Sequence, residues 1–313
     1  PEFNINSLSI TRSWGFKQEY ARKIWGFNVS WGQEYMNPTA EGSNYDLAQD
    51  HVWTLKSSIQ KKLNKHWNTH LDFRKEFRQF AAVPFIPTLG LEWKKSKWKW
   101  YASAGKHFRV PTFNDMFWNP GGNPNLKPES GINFNTGWAW QNKGFLLEVN
   151  PYYSALNQWI QWTPQTSGFW SPENILEVHS RGFDFKAKWE MNRLSLQGFY
   201  QFNQALIHQG PNTGKQLIYS PVHQGHLRIG VKFRPVQCFW TANYTGYRFT
   251  SYDNLEWLPG YWNHQMAIQA NLDSQLSLSF RLDNVFDSPW VGVVGQVPQP
   301  RTYQINVSIK LKN

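Results

Sequence analysis

Apolar and polar residues alternate with a period of two along most of this chain, as expected of strands with one dry and one wet face. From Trp25, WGFNVSW sets Trp25, Phe27, Val29 and Trp31 against Gly26, Asn28 and Ser30. HWNTHLDF separates Trp67, Thr69, Leu71 and Phe73 from His66, Asn68, His70 and Asp72. INFNTGWAW places Ile132, Phe134, Thr136, Trp138 and Trp140 opposite Asn133, Asn135, Gly137 and Ala139. The last stretch repeats the pattern, with Tyr303, Ile305, Val307, Ile309 and Leu311 against Gln304, Asn306, Ser308 and Lys310. Tight reversals at KKLNK, KKSK, QNKG, EMNR, RPVQ and LDSQ separate the strands. Between them the links are mostly longer: 37–49, 107–129, 151–173, 204–222, 248–259 and 287–301, with a brief one near Ala81. At roughly ten residues each, this predicts about fourteen antiparallel strands from Lys23 onward. INSLSITRSW reads as one more, joined to the rest by GFKQEYARK.

Alternation alone also fits a large soluble β-sandwich or β-helix, so the solvent must be read from elsewhere. The apolar faces recur on almost every strand, while the other faces carry Asn, Gln, Lys, Asp and His; this is the pattern of lipid outside and a wet lumen inside. Aromatic residues make up 17% of the chain, with 19 tryptophans. They cluster at strand ends (Trp93, Trp98 and Trp100 around one turn, Trp138, Trp140 and Trp189 near others), as interfacial girdles do. No apolar run approaches the roughly 18 residues of a spanning helix. The expected fold is therefore all-β, an antiparallel transmembrane barrel with about 14–15 strands visible. Short turns face the periplasm in such barrels and long loops face outward. That places the chain in the cell outer membrane and makes the last strand run downward, so that Asn313 is periplasmic. Single-chain bacterial barrels close with an even number of strands, so an odd count beginning on the outer side implies that upstream strands are missing.

The net charge of +11 changes this little. Its basic residues recur at the reversals rather than in one stripe, and no recognition motif accompanies them, which argues against nucleic acid and for a lipid headgroup layer. A lone Cys238 excludes an internal disulfide framework and a Cys-based zinc site.

One long segment carries a family resemblance. FRVPTFNDMFW followed by GGNPNLKPE resembles the Phe-Arg-x-Pro and Asn-Pro-x-Leu-x-Pro-Glu elements of TonB-dependent outer-membrane receptors, through Phe108, Arg109, Pro111, Asn123, Pro124, Leu126, Pro128 and Glu129. Further on, SRGFDFKAKW is similar to the family's Arg-Gly-x-Glu strand, with Asp184 in place of Glu. LIYSPVHQGHLRIGVKF resembles its Pro-x-His segment. LDNVFDSPW resembles its Asn-Leu-Phe-Asp loop through Asn284, Phe286 and Asp287, and PQPRTYQINVSIKL its closing strand through Arg301. The motifs occur in family order.

The resemblance implies a plugged barrel of about 22 strands, of which residues 1–313 would be the C-terminal part. The plug and TonB box are not found in this sequence. It also implies uptake of a scarce external ligand, cobalamin-like or iron-siderophore-like, with energy from the TonB complex through the plug. Implied partners are outer-membrane lipid, the N-terminal barrel strands and plug, and a surface-exposed lipoprotein that captures ligand. A passive porin of 14–16 strands, or a structural or partner-binding barrel without transport, remains the alternative. Haem-transporting relatives carry a histidine between the two loop elements; between Pro111 and Asn123 this chain has none. The loop's aromatic and apolar residues, Phe113, Met116, Phe117 and Trp118, are the ligand-binding candidates. The motif residues, Pro128 and Glu129 among them, read as mainly structural.

No catalytic residues, cofactor or metal site are read from the sequence. No phosphate-binding loop, nucleophile elbow or zinc-protease helix is present. His66 and His70, four apart on one strand face, would stand about 13 Å from each other, too far for one metal ion.

Overall fold

The computed structural model describes residues 8–166, 168–273 and 275–309. The chain folds into β1 (Ser9–Ile24), β2 (Phe27–Gly42), β3 (Tyr45–Gln49), β4 (Val52–Lys62), β5 (Trp67–Phe77) and β6 (Ile86–Lys95). Then follow β7 (Trp98–Arg109), α1 (Phe113–Phe117), β8 (Glu129–Asn142), β9 (Phe145–Pro164), β10 (Trp170–Met191) and β11 (Leu194–Ile207). The remainder comprises β12 (His223–Phe233), β13 (Val236–Thr245), β14 (Arg248–Phe249), β15 (Trp257–Leu258), β16 (Tyr261–Asn271), β17 (Leu276–Asp283) and β18 (Thr302–Ile309). One 16-stranded antiparallel sheet runs in chain order from β1 to β18, with β3 paired off the path on β2 and β14–β15 forming a separate ribbon. Among the described residues β1 pairs only with β2, and β18 only with β17. The sheet is therefore a barrel wall with two free edges.

The hairpin registers give the two faces. Val29 lies opposite Ile59, Leu89 opposite Ala104 and Phe134 opposite Tyr153; Leu227 meets Ala242, and Phe280 meets Ile305. Many large apolar side chains on this face are exposed, Ile132 at 60% and Ile305 at 69% among them. Burying them in lipid stabilises the wall, whereas water would leave an apolar surface far larger than monomeric soluble proteins tolerate. The opposite face is polar and internally paired. Tyr101 Oη donates to Asn150 Oδ1 (2.9 Å), Tyr152 Oη to Asn203 Oδ1 (2.9 Å), and Gln201 Nε2 to Asp184 Oδ1 (2.9 Å). Ion pairs such as Lys56–Glu34 and Lys99–Glu92 span neighbouring strands there.

Seven short turns lie at one end of the sheet. At the first, Trp25 (φ 47°) and Gly26 (φ 80°) are both left-handed, as are Lys143 (φ 36°) and Gly144 (φ 85°) further along. These are the conformations of the turn whose twist matches its flanking strands. Tryptophans crowd this end: Trp67 packs edge-on against Trp100 at 5.8 Å, and Trp98 and Trp100 meet Trp140 and Trp138 at 6.4 and 6.1 Å. The long connections gather at the other end.

Five sequence expectations need correction. GFKQEYARK is not a connection but the second half of β1, and the turn falls at Trp25, which is 93% exposed and not part of the apolar face. Its charged residues hide the strand period because Lys17 and Glu19 face the lumen while Arg22 lies at the turn end opposite Val29. The segment 151–173 is mostly strand: β9 extends to Pro164 and β10 begins at Trp170. Pro151 made it look like a break, and the β8–β9 ladder does lapse there, between Tyr152 and Val149, because proline has no N–H to donate. Likewise β2 and β3 occupy most of 37–49. His66 lies outside the strands, at a turn where its Nδ1 is 3.0 Å from the Lys94 carbonyl, so it does not share a strand face with His70. Lys310, Leu311, Asn313 and the first residues of INSLSITRSW lie outside the described residues.

Candidate functional site

At the long-loop end the connections knit into a layer, and the segment after β7 lies at its centre. Pro111 ends the β7 ladder and is buried. Thr112 then caps α1: its Oγ1 accepts from Asp115 N (3.2 Å), and its own N–H donates to Asp115 Oδ2 (2.9 Å), a reciprocal capping box. Arg109 ties this turn to the wall. One guanidinium nitrogen donates to Glu129 Oε1 at 2.6 Å, the other to Asp115 Oδ2 at 3.1 Å. Both carboxylates are nearly sealed, Asp115 at 4% and Glu129 at 1% exposure. Their other lone pairs are satisfied too: Trp162 Nε1 donates to Asp115 Oδ1, and Ile160 N to Glu129 Oε1, each at 2.9 Å. His107 Nε2 stands 3.4 Å from Glu129 Oε2. A planar guanidinium forked between two buried carboxylates is a geometric lock that a lysine could not reproduce.

The other end of the loop is held through its backbone. Asn123 Oδ1 accepts from Asn125 N, and its Nδ2 donates to the Pro172 carbonyl. Asn174 bridges both main-chain groups of Lys127, accepting from its N–H and donating to its carbonyl. Leu126 is buried, Pro128 half-buried and Pro124 exposed. Gly121, at φ 118°, passes so close to the Trp170 carbonyl that a Cβ would collide with it. Phe108 lies on the apolar face opposite Ser130. Thus Arg109 and Glu129 are joined directly, Asn123 fastens the loop to the β10 side, and Phe108, Pro124 and Pro128 make no part of the ion cluster.

The ligand candidates lie in α1 and at its C-cap, within the same loop. Phe113 and Phe117 face each other at 6.3 Å; Phe117 is 37% exposed, and Phe113, Met116 and Trp118 are half-buried. The other motif group lies apart. Asn284 is buried, and its side-chain amide donates to the Ser288 and Gln299 carbonyls while accepting from Ser288 N. Asp287 Oδ1 accepts from Arg301 N at 2.9 Å, closing the base of the last loop. Phe286 is exposed and meets the His264 ring edge-on at 4.8 Å.

Sequence reasoning missed Arg248, which ties the last two loops together. It is 4% exposed and donates to the Gly292, Pro259 and Val291 carbonyls, with its guanidinium over the Tyr261 ring. Burial pushes its pKa down. Gln216 and Asn254 were also missed. They exchange side-chain-to-backbone bonds (2.8 and 3.0 Å) that dock the loop after β11 against the β14–β15 ribbon. Beneath them Val178, Ala205, Ile207 and Leu217 form a small core, with Tyr252 packed against it and its phenol pKa pushed up by burial. Nothing in the local spacing of these residues announces their partners. Among the described residues no group of three or more His, Cys, Asp or Glu side chains could hold a metal.

The family profile described as TonB dependent receptor-like, beta-barrel matches residues 13–285. The chain belongs to the TonB-dependent receptor β-barrel family. This is a family of outer-membrane barrels, and its members are receptors and transporters. The chain is 29% identical over 222 residues to the vitamin B12 transporter BtuB of Photobacterium profundum, covering 69% of this chain and 36% of that protein. Among solved structures, the ferric enterobactin receptor PfeA of Pseudomonas aeruginosa superposes with a TM-score of 0.75 at 14% identity, over 96% of this chain and 54% of the receptor. The siderophore receptor PirA of Acinetobacter baumannii gives 0.75 at 12% identity, over 97% of this chain and 55% of that one. This TonB-dependent receptor chain therefore spans about half the length of the solved structures it matches, and about a third of the Photobacterium protein.

Proposed function

We propose that this chain is the C-terminal part of the barrel of an outer-membrane receptor that takes up a scarce external ligand with energy from the TonB system. A cobalamin-like compound is the first choice of ligand and an iron-siderophore the second. The observation that carries the reading is the layer of long loops locked by Arg109, Asp115 and Glu129 at one end of an unclosed barrel wall. Such a layer holds aromatic side chains in fixed positions on a rigid scaffold, where binding residues are commonly found. The preference for cobalamin is supported by the name of the Photobacterium relative. The free edges of β1 and β18 support a wall completed by further strands, with a plug in its lumen through which TonB acts. They weigh against a passive porin made from these strands alone. In this reading the short turns are periplasmic and the loops external, and a lipoprotein that captures ligand would dock on the loop layer.

Phe117 and Trp118 are the expected ligand contacts. Stacking on aromatic side chains is worth about 1–3 kcal/mol per ring in comparable cases, so replacing both by Ala should weaken binding about tenfold or more. The measurement is cyanocobalamin binding to the purified receptor, with heat-modifiable gel migration as the folding control. Normal binding by a folded double variant would make these residues packing elements only.

A further inference from the structure

Away from the turns, the lumen-facing cations of the wall have carboxylate partners, Arg228 excepted among the described residues. Lys56 meets Glu34 at 2.7 Å, Lys99 meets Glu92 at 2.6 Å and Lys186 meets Glu148 at 3.5 Å. Lys188 meets Glu190 at 2.8 Å, and Arg281 meets Asp283 at 2.9 Å. Arg228 lies on the same face, opposite Gln197 of β11 and Thr241 of β13. Its guanidinium carbon stands 4.1 Å from the centroid of the Phe239 ring. That contact supplies no strong acceptor: among the described residues its N–H donors have no carboxylate, carbonyl or amide oxygen.

The surroundings of Arg228 leave room for an acceptor from outside. It lines a concavity of about 450 Å³ at the turn end of the lumen, together with Lys232, Gln197, Gln237 and Phe239. Gly230 forms part of its floor. A Cβ there would run into Ser195 Oγ and the Phe239 ring, so the ring can lie against β12 only because no side chain is present. Lys232 adds a second cation, and the two glutamines add amide donors. The one carboxylate among the described lining residues is Glu190, which Lys188 already holds.

We infer that this concavity is an oxyanion-binding site, which takes the carboxylate or phosphate group of a small solute in the lumen. A planar guanidinium presents paired N–H bonds that match two oxygens of one such group, and charge on both sides makes those bonds strong. Phe239 holds the guanidinium in place from beneath, and Lys232 adds charge beside it. A resident carboxylate, such as each neighbouring cation has, would have filled the fork. The inference does not depend on the ligand that the receptor takes up.

The test uses the purified full-length receptor in neutral detergent and phenylglyoxal, which modifies accessible guanidinium groups. Peptide mass spectrometry reads the extent of reaction at each arginine. Millimolar inorganic phosphate should slow modification of Arg228 about fivefold or more, as occupancy of the site by the anion requires. Arg234, exposed in the turn between β12 and β13 and outside the concavity, should react at one rate with and without phosphate. Sodium chloride at the same ionic strength should protect Arg228 far less, because a single atom cannot fill the fork. Gln197→Glu sets a carboxylate opposite Arg228 and should abolish the phosphate effect. The inference fails if Arg228 reacts equally with and without phosphate, if chloride protects as well, or if phosphate still protects in Gln197→Glu. It fails too if Arg228 resists the reagent in anion-free buffer, since a carboxylate from another polypeptide segment in the lumen would then hold it.

Discussion

Replacing Arg109 by Ala is expected to release the loop between β7 and β8 while leaving the barrel wall folded. Removing the cation leaves Asp115 and Glu129, both almost fully buried, without their shared guanidinium and with only N–H donors such as Trp162 Nε1 and Ile160 N beside them. Losing one partner of a buried ion pair costs about 3–5 kcal/mol. The lower end applies here, because 39% of the Arg109 side chain is exposed and water already reaches it. The loss cannot exceed the free energy of opening the loop, since an opened loop hydrates both carboxylates. Susceptibility to cleavage is therefore the sensitive readout. The loop offers Phe113, Phe117 and Trp118, none of them followed by proline, so chymotrypsin should cut there in the variant and not in the parent. Arg109→Lys should restore protection only in part, because an ammonium cannot fork between two carboxylates. Chymotrypsin supplied outside intact cells should suffice. Cleavage only after lysis would put the loop on the periplasmic side, and resistance of Arg109→Ala under both conditions would show that the ion cluster does not hold the loop.

The second large effect belongs to the lipid face. Ile229 lies opposite Leu196 and Trp240, well inside the apolar band. Ile229→Arg should cost about 2–4 kcal/mol, the penalty for a cation near the midplane of the bilayer. Gln197 is on the neighbouring strand with its face toward the lumen, opposite Lys188 and Arg228. A cation there stays hydrated, and repulsion from the two basic neighbours is screened, so Gln197→Arg should cost under about 1 kcal/mol. Phe134→Arg should fall between them, because Phe134 lies opposite Tyr153 near the outer edge of the band, where the penalty declines. Folding titrations into lipid vesicles give all three numbers. Equal costs for Ile229→Arg and Gln197→Arg would contradict the assignment of faces.

The wall was largely legible in the sequence because lipid and lumen impose opposite chemistry on alternate residues. Ile132, Phe134 and Trp138 against Asn133, Asn135 and Gly137 could be sorted without coordinates. Legibility ended where that contrast ended. Above the apolar band, the upper parts of β9 and β10 meet water, loops and one another on both faces, so NQWIQWTP no longer alternates cleanly and read as a link. In β1 the charges on both faces obscured the period in the same way. The loop lock was half visible: Arg109 and Glu129 stood out by family resemblance, but their junction through Asp115 and Trp162 depends on strands brought together by topology. Arg248 was invisible for the same reason, since its partners are three carbonyls from two loops, and a carbonyl carries no sequence signal.

Cells that carry the native gene should accumulate labelled cyanocobalamin at nanomolar external concentration. Cells lacking it should not, and deleting TonB should abolish accumulation while leaving surface binding intact. Accumulation that persists without TonB and rises linearly with concentration would contradict the account and point to a passive pore.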